Sequence, residues 1–127
     1  MTGEPRSRGF TLIELLVVLA IIGMLLMIAV PRYYHTLQRS RETILRHDLS
    51  VMRDAIDKYY GDRGGYPQAL PALVDKRYLR AIPVDPITQS AATWVVVDST
   101  DPDHPGMRDV HSGSDKTSIN GTAFASW

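Results

Sequence analysis

Hydrophobic and polar positions divide the chain into two unlike parts. After a short polar leader, residues 12–30 are apolar except for Glu14 and the small residues Ala20, Gly23 and Ala29, and Pro31 closes the run. A helix from Leu12 to Val30 would be about 28 Å long, enough to cross a hydrocarbon core. Beyond Pro31 the pattern turns amphipathic. Leu37, Ile44, Leu45, Leu49, Met52, Ile56, Tyr59 and Tyr60 recur at three- and four-residue spacings with charges between them, which predicts a helix continuing over 32–60. Gly61 and the Gly64-Gly65 pair are its expected stop.

Pro67, Pro71, Pro83 and Pro86 then impose loop and short helix, with helical turns expected over 69–78. The β-branched and aromatic segment Thr93-Trp94-Val95-Val96-Val97 predicts a strand, and 107–111 a second. The Asp- and Pro-rich stretch 98–106 would connect them, and 120–127 is a candidate third strand. The expected fold is α+β: a long N-terminal helix, half transmembrane and half amphipathic, packed on a small antiparallel sheet.

Composition narrows the possibilities. The 127 residues carry 14 basic and 14 acidic side chains, so no bulk attraction to nucleic acid follows. There is no cysteine, so a small head must be held by packing, by a metal or by neighbouring subunits. The four histidines show no zinc-binding spacing, and neither a nucleophile elbow nor a phosphate loop occurs, so no enzyme is expected. Asp98, Asp101 and Asp103 lack calcium-loop spacing and read as a solvated loop.

Glu14 is the exception in the apolar run. An acidic side chain within a membrane helix costs about 2.5–3.5 kcal/mol on insertion scales, so it requires a compensating partner. Gly9 stands just outside the run, where a peptidase could cut; cleavage would leave a new amine on Phe10, four residues from Glu14. A simple secretory signal fits poorly, because the apolar run is long and Ala29-Val30-Pro31 is a poor cleavage site. A plain anchor leaves Glu14 without explanation.

Arg8-Gly9-Phe10-Thr11-Leu12-Ile13-Glu14-Leu15-Leu16 resembles the class III signal of type IV pilins and type II secretion pseudopilins. The resemblance implies a cleaved leader (1–9), cleavage between Gly9 and Phe10 by a prepilin peptidase, N-methylation of Phe10, an assembly helix (10–31) and a periplasmic head (32–127). Thr11, Glu14 and Pro31 fall at the family's assembly positions. For Gly23 and Pro31, local melting of the helix and a simple kink at the membrane exit both stand. Arginines flank the span on both sides, so charge does not orient it; the resemblance implies an inner-membrane protein with its C-terminus in the periplasm.

The second half is similar to the G-type major pseudopilin. Tyr66-Pro67, Leu70, Leu73, Tyr78-Leu79, Ile82-Pro83-Val84-Asp85-Pro86, the segment Val110–Asp115 and Ser126-Trp127 carry that likeness. Ile87 stands where the family usually has tryptophan. The implied function is a structural subunit that polymerises into the periplasmic pseudopilus and drives exoprotein export. Its partners would be copies of itself, minor pseudopilins, the prepilin peptidase, and an inner-membrane platform with its ATPase. The alternative is a type IV pilus subunit for adhesion, twitching or DNA uptake. The family's calcium site would fall at Ser112 and Asp115, with Asn120 a further donor. A second aspartate is missing there, and a tight glycine turn with an exposed aspartate is the simpler assignment.

Overall fold

The computed structural model describes residue 3 and residues 8–127; most of the expected leader, Arg6 included, lies outside the described residues. The elements are α1 (Leu12–Arg63), α2 (Leu70–Asp75), β1 (Val95–Asp98), β2 (Met107–His111) and a closing 3₁₀ turn (Phe124–Ser126). They fall into two compact units, residues 1–37 and 38–127.

In the first unit, α1 begins at a capping box. The Glu14 N–H donates to Thr11 Oγ1 at 3.2 Å, and the Leu15 N–H to the Thr11 carbonyl at 3.2 Å. The first bond gives one of the helix's orphan donors an acceptor, and the second opens the intrahelical ladder. The helix is long and apolar enough to cross a membrane, and none of its apolar window is buried by the protein itself. Phe10 is 88% exposed. Pro31 lies inside the helix.

In the second unit, α1 turns one face to a core of Leu45, Leu49, Met52, Ala55 and Ile56. Leu70, Leu73, Leu79, Trp94, Met107, Val110 and Phe124 complete that core. Ile44 is not part of it; the 3.6-residue period rotates it away from its neighbour Leu45, and it is 47% exposed. The helix runs past Tyr60 and Gly61 to Arg63 and stops at the expected Gly64-Gly65 pair. It ends at Gly64, whose φ of 72° is the left-handed geometry of a helix C-cap and whose N–H reaches the Tyr60 carbonyl at 2.8 Å.

β1 and β2 pair antiparallel, with Val95 opposite His111 and Val96 opposite Val110, and the register shifts between Val97 and Asp98. Among the described residues no third strand joins them. The tail instead makes a single bridge, Thr117 to Ala123, and then the 3₁₀ turn that drives Phe124 fully into the core. Residues 120–127 contain a Gly-Thr turn and one large aromatic rather than an alternating apolar run, so burying Phe124 governs their course.

Candidate functional site

Three local arrangements bring chemistry-bearing residues together. The first is the start of α1. Glu14 is exposed and borders an open apolar concavity shared with Phe10, Ile13, Val17 and Val18. Thr11 has a local task here: its hydroxyl caps the helix that carries Glu14. The Thr-x-x-Glu spacing of a capping box is the sequence signal for that task, and the amphipathic pattern alone misses it.

The second arrangement joins Asp85 to the loop after β2. Asp85, Pro86, Ile87 and Thr88 form a turn with aspartate first and proline second, the positions these residues favour. Asp85 Oδ1 accepts the Ile87 N–H at 2.8 Å and the Thr88 N–H at 3.4 Å. Its other oxygen accepts the Ser112 hydroxyl at 2.5 Å, and both Asp85 and Ser112 are fully buried. The chain then climbs a ladder of serines: the Ser114 N–H donates to Ser112 Oγ, and the Lys116 N–H to Ser114 Oγ. Gly113 lies against the Thr93 carbonyl so closely that a Cβ there would stand 1.9 Å from the oxygen, which is why only glycine fits.

This geometry bears directly on calcium. The ion takes six to eight oxygens, whereas the Ser112 hydroxyl is already committed at both its donor and an acceptor position. Asp115 is exposed, and among the described residues no three His, Cys, Asp or Glu side chains gather as metal ligands. Asp85, Ser112 and Ser114 here make an internal polar lock. Asp48 belongs to the same neighbourhood: partial burial pushes its carboxyl above the ordinary range, the His47 charge opposes that, and Asp85 adds to it.

The third arrangement surrounds Trp127. Arg53 Nε donates to Asp109 Oδ1 at 2.9 Å, and its Nη2 donates to the Val110 carbonyl at 3.1 Å and to the Trp127 carbonyl. His111 Nδ1 also lies 2.7 Å from that Trp127 oxygen. A carbonyl only accepts, so Nδ1 carries the proton, and the 3.4 Å approach of Arg53 to the same nitrogen is a contact between two donors. Burial pushes the Asp109 carboxyl up. The Val110 N–H, the Arg53 hydrogen bond and charge, and His111 outweigh it, leaving Asp109 below the ordinary range. Arg46 lies over the indole, 4.3 Å from the ring centroid. His35 and His47 sit exposed on α1, and Asp54 and Asp57 are exposed on the same helix with no cleft around them among the described residues.

Residues 5–30 match the prokaryotic N-terminal methylation motif. The chain is 35% identical over 97 residues to type II secretion system core protein G of Pseudomonas aeruginosa, covering 64% of this chain and 68% of that protein. It is 32% identical over 99 residues to the fimbrial protein EcpC of Eikenella corrodens, covering 74% of this chain and 62% of that one. A third relative, the type IV major pilin protein PilA of Myxococcus xanthus, is 39% identical over 63 residues, half of this chain and 29% of the pilin. The chain thus spans less than two thirds of both the fimbrial protein and the pilin. No solved structure matches it.

Proposed function

Because the chain belongs to the type IV pilin-like family, in its type II secretion core protein G branch, we propose that it is a major pseudopilin. In this role it is a structural subunit that polymerises beneath an outer-membrane channel and drives exoprotein export. The observation that carries this is a capped apolar helix bearing Glu14, none of whose apolar window the protein itself buries, in a chain similar over 97 aligned residues to a secretion-system core protein.

The energetics of the helix support it. Side chains that the protein leaves unburied are covered by lipid before assembly and by neighbouring helices after it, so apolar burial survives extraction from the bilayer. Cleavage between Gly9 and Phe10 creates the amine, and N-methylation keeps it cationic. Glu14 of one copy then pairs with the Phe10 amine of the next. A buried ion pair adds little net stability, but leaving either charge alone is strongly disfavoured, so the pair sets the axial step between subunits. Pro31 gives the helix a point of local yield at the membrane exit.

The remaining partners follow from this role: a prepilin peptidase, minor pseudopilins, and an inner-membrane assembly platform with its ATPase. The head lies in the periplasm, and the subunit catalyses nothing. The fimbrial and pilin relatives support a second reading, a surface type IV pilus subunit.

Deletion of the gene separates the two. Loss of particular exoproteins from the culture supernatant, with surface fibres intact, is the expected result. Intact secretion with lost pili or twitching would move the protein to the surface pilins. Two variants probe the mechanism. Glu14→Ala is expected to insert in the membrane normally yet fail to assemble, and normal polymer from it would refute the registry role. Gly9→Ala is expected to accumulate as uncut precursor.

A further inference from the structure

Arg39, Arg46 and Arg53 recur at seven-residue spacing on α1 and so share one face. Arg53 is occupied by Asp109 and two carbonyls, whereas Arg39 and Arg46 are exposed. Among the described residues neither has a carboxylate within ion-pair distance. Arg46, Leu49, Arg53 and Trp127 line an open cavity of about 330 Å³. Its lining combines the Arg46 and Arg53 side chains with the apolar surface of Leu49 and Trp127.

About 21 Å further along α1, at roughly 1.5 Å per residue, the chemistry reverses. The loop after β1 reaches the end of the helix, where the His104 ring lies 5.7 Å from Tyr60. Asp98, Asp101 and Asp103 are all exposed there. Asp101 is used inward, accepting the Asp103 N–H at 3.0 Å and pairing with His104 Nδ1 at 2.8 Å. Asp103 keeps its side chain outward, in no ion pair among the described residues. Pro102 and Pro105 restrict the backbone on either side, so presenting Asp103 costs little further ordering.

We propose that the Asp103 tip of one head docks at the Arg46 cavity of a second copy, with Asp98 and Arg39 flanking the contact. This rests on the filament reading above. Copies related by one repeating operator meet through two different patches, so the patches must complement each other rather than themselves. A chain of zero formal charge with an acidic tip at one end of its head and an unpaired arginine cavity towards the other meets that requirement. The planar guanidinium suits a carboxylate. The indole and Leu49 beside it exclude water and strengthen the attraction.

The test uses the full-length chain with its own assembly machinery, comparing polymerised protein with processed protein remaining in the membrane. Arg46→Glu and Asp103→Arg are each expected to lower the polymer fraction about tenfold or more, as for charge pairs at partly desolvated interfaces. The two reversals together, which recreate the pair with its signs exchanged, are expected to return it to within about threefold of the parent. Asp103 lies on an exposed loop outside the core, so Asp103→Arg reports on docking even where Arg46→Glu disturbs the packing of Trp127. Single reversals that polymerise like the parent, or a double reversal no better than the worse single, would overturn the proposal. An unmodified chain that forms no polymer would instead overturn the filament reading itself.

Discussion

Ser112→Ala isolates the polar lock. The substitution removes one oxygen from a fully buried site and leaves the Asp85 carboxyl with the Ile87 and Thr88 N–H groups on one oxygen and nothing on the other. A buried acceptor that loses its partner costs about 1–3 kcal/mol. The Ser114 N–H loses its acceptor in the same step, which puts the expected loss in the upper half of that range. For a domain of 60–100 residues each kcal/mol moves Tm by about 4–8 °C, so a loss of about 2 kcal/mol lowers it by about 8–16 °C. Trp94 is the reporter: it is buried and donates its indole N–H to the Pro83 carbonyl at 2.8 Å, two residues from Asp85. Its fluorescence, followed through a thermal melt of the full chain in detergent micelles on a Trp127→Phe background that silences the second tryptophan, reads this region directly. The melt is run with calcium and with a chelator. The lock predicts that Ser112→Ala lowers Tm equally in both, and that the parent melts alike in both. An unchanged Tm for the variant would refute the role of the Asp85–Ser112 bond. A parent that melts markedly higher with calcium would refute the view that this loop is closed by hydrogen bonds alone.

Phe124→Ala empties a fully buried aromatic site and is expected to cost about 3–5 kcal/mol, measured by denaturant titration. Gly113→Ala places a methyl group against the Thr93 carbonyl and is expected to separate the loop from the end of β1, read as lost protection of the Ser114 amide in hydrogen exchange. Two carboxyls give opposite pH signatures. Asp109 is depressed in the fold, so its contribution is complete above the ordinary value of 3.8 and is lost as pH falls through the lower native value; Asp109→Asn is expected to remove that part of the acid destabilisation. Asp48 is raised, so its penalty is complete above the native value and absent below 3.8; Asp48→Asn is expected to stabilise at neutral pH, with the gain vanishing in acid.

The parts legible in the sequence are those where one physical signal dominates. An apolar run closed by proline and an amphipathic period of 3.6 mark a helix over both segments, β-branched residues place β1 to within two residues, and β2 falls at its expected bounds of 107–111. The errors occur where tertiary terms outweigh local ones. The helix passes Gly61 and stops at the Gly64-Gly65 pair, the second of its expected stops, because the left-handed cap forms at Gly64. The tail carries too little alternation to pair as a strand, and the gain from burying Phe124 draws it into a 3₁₀ turn instead. Similarly, Ile87 replaces an expected tryptophan and still packs against the core, because the turn before it is fixed by Asp85 and Pro86 rather than by the size of the following side chain.

Asp85 and Ser112 lie far apart in sequence, so no local pattern pairs them, and a motif that suggests a metal loop folds here as a hydrogen-bonded one. The Arg53 cluster was invisible for the same reason: its donors reach Asp109, Val110 and Trp127 across the fold. Together these two clusters do what disulfides do in small disulfide-bonded domains. The core of residues 38–127 is one helix face, a short helix and two strands, which is little apolar surface for that length. The lock closes the loop after β2 onto the turn before β1, and Arg53 ties β2 and the tail to α1. Each removes freedom from the chain that follows the two-stranded pairing, at positions where a cysteine-free chain has no covalent alternative.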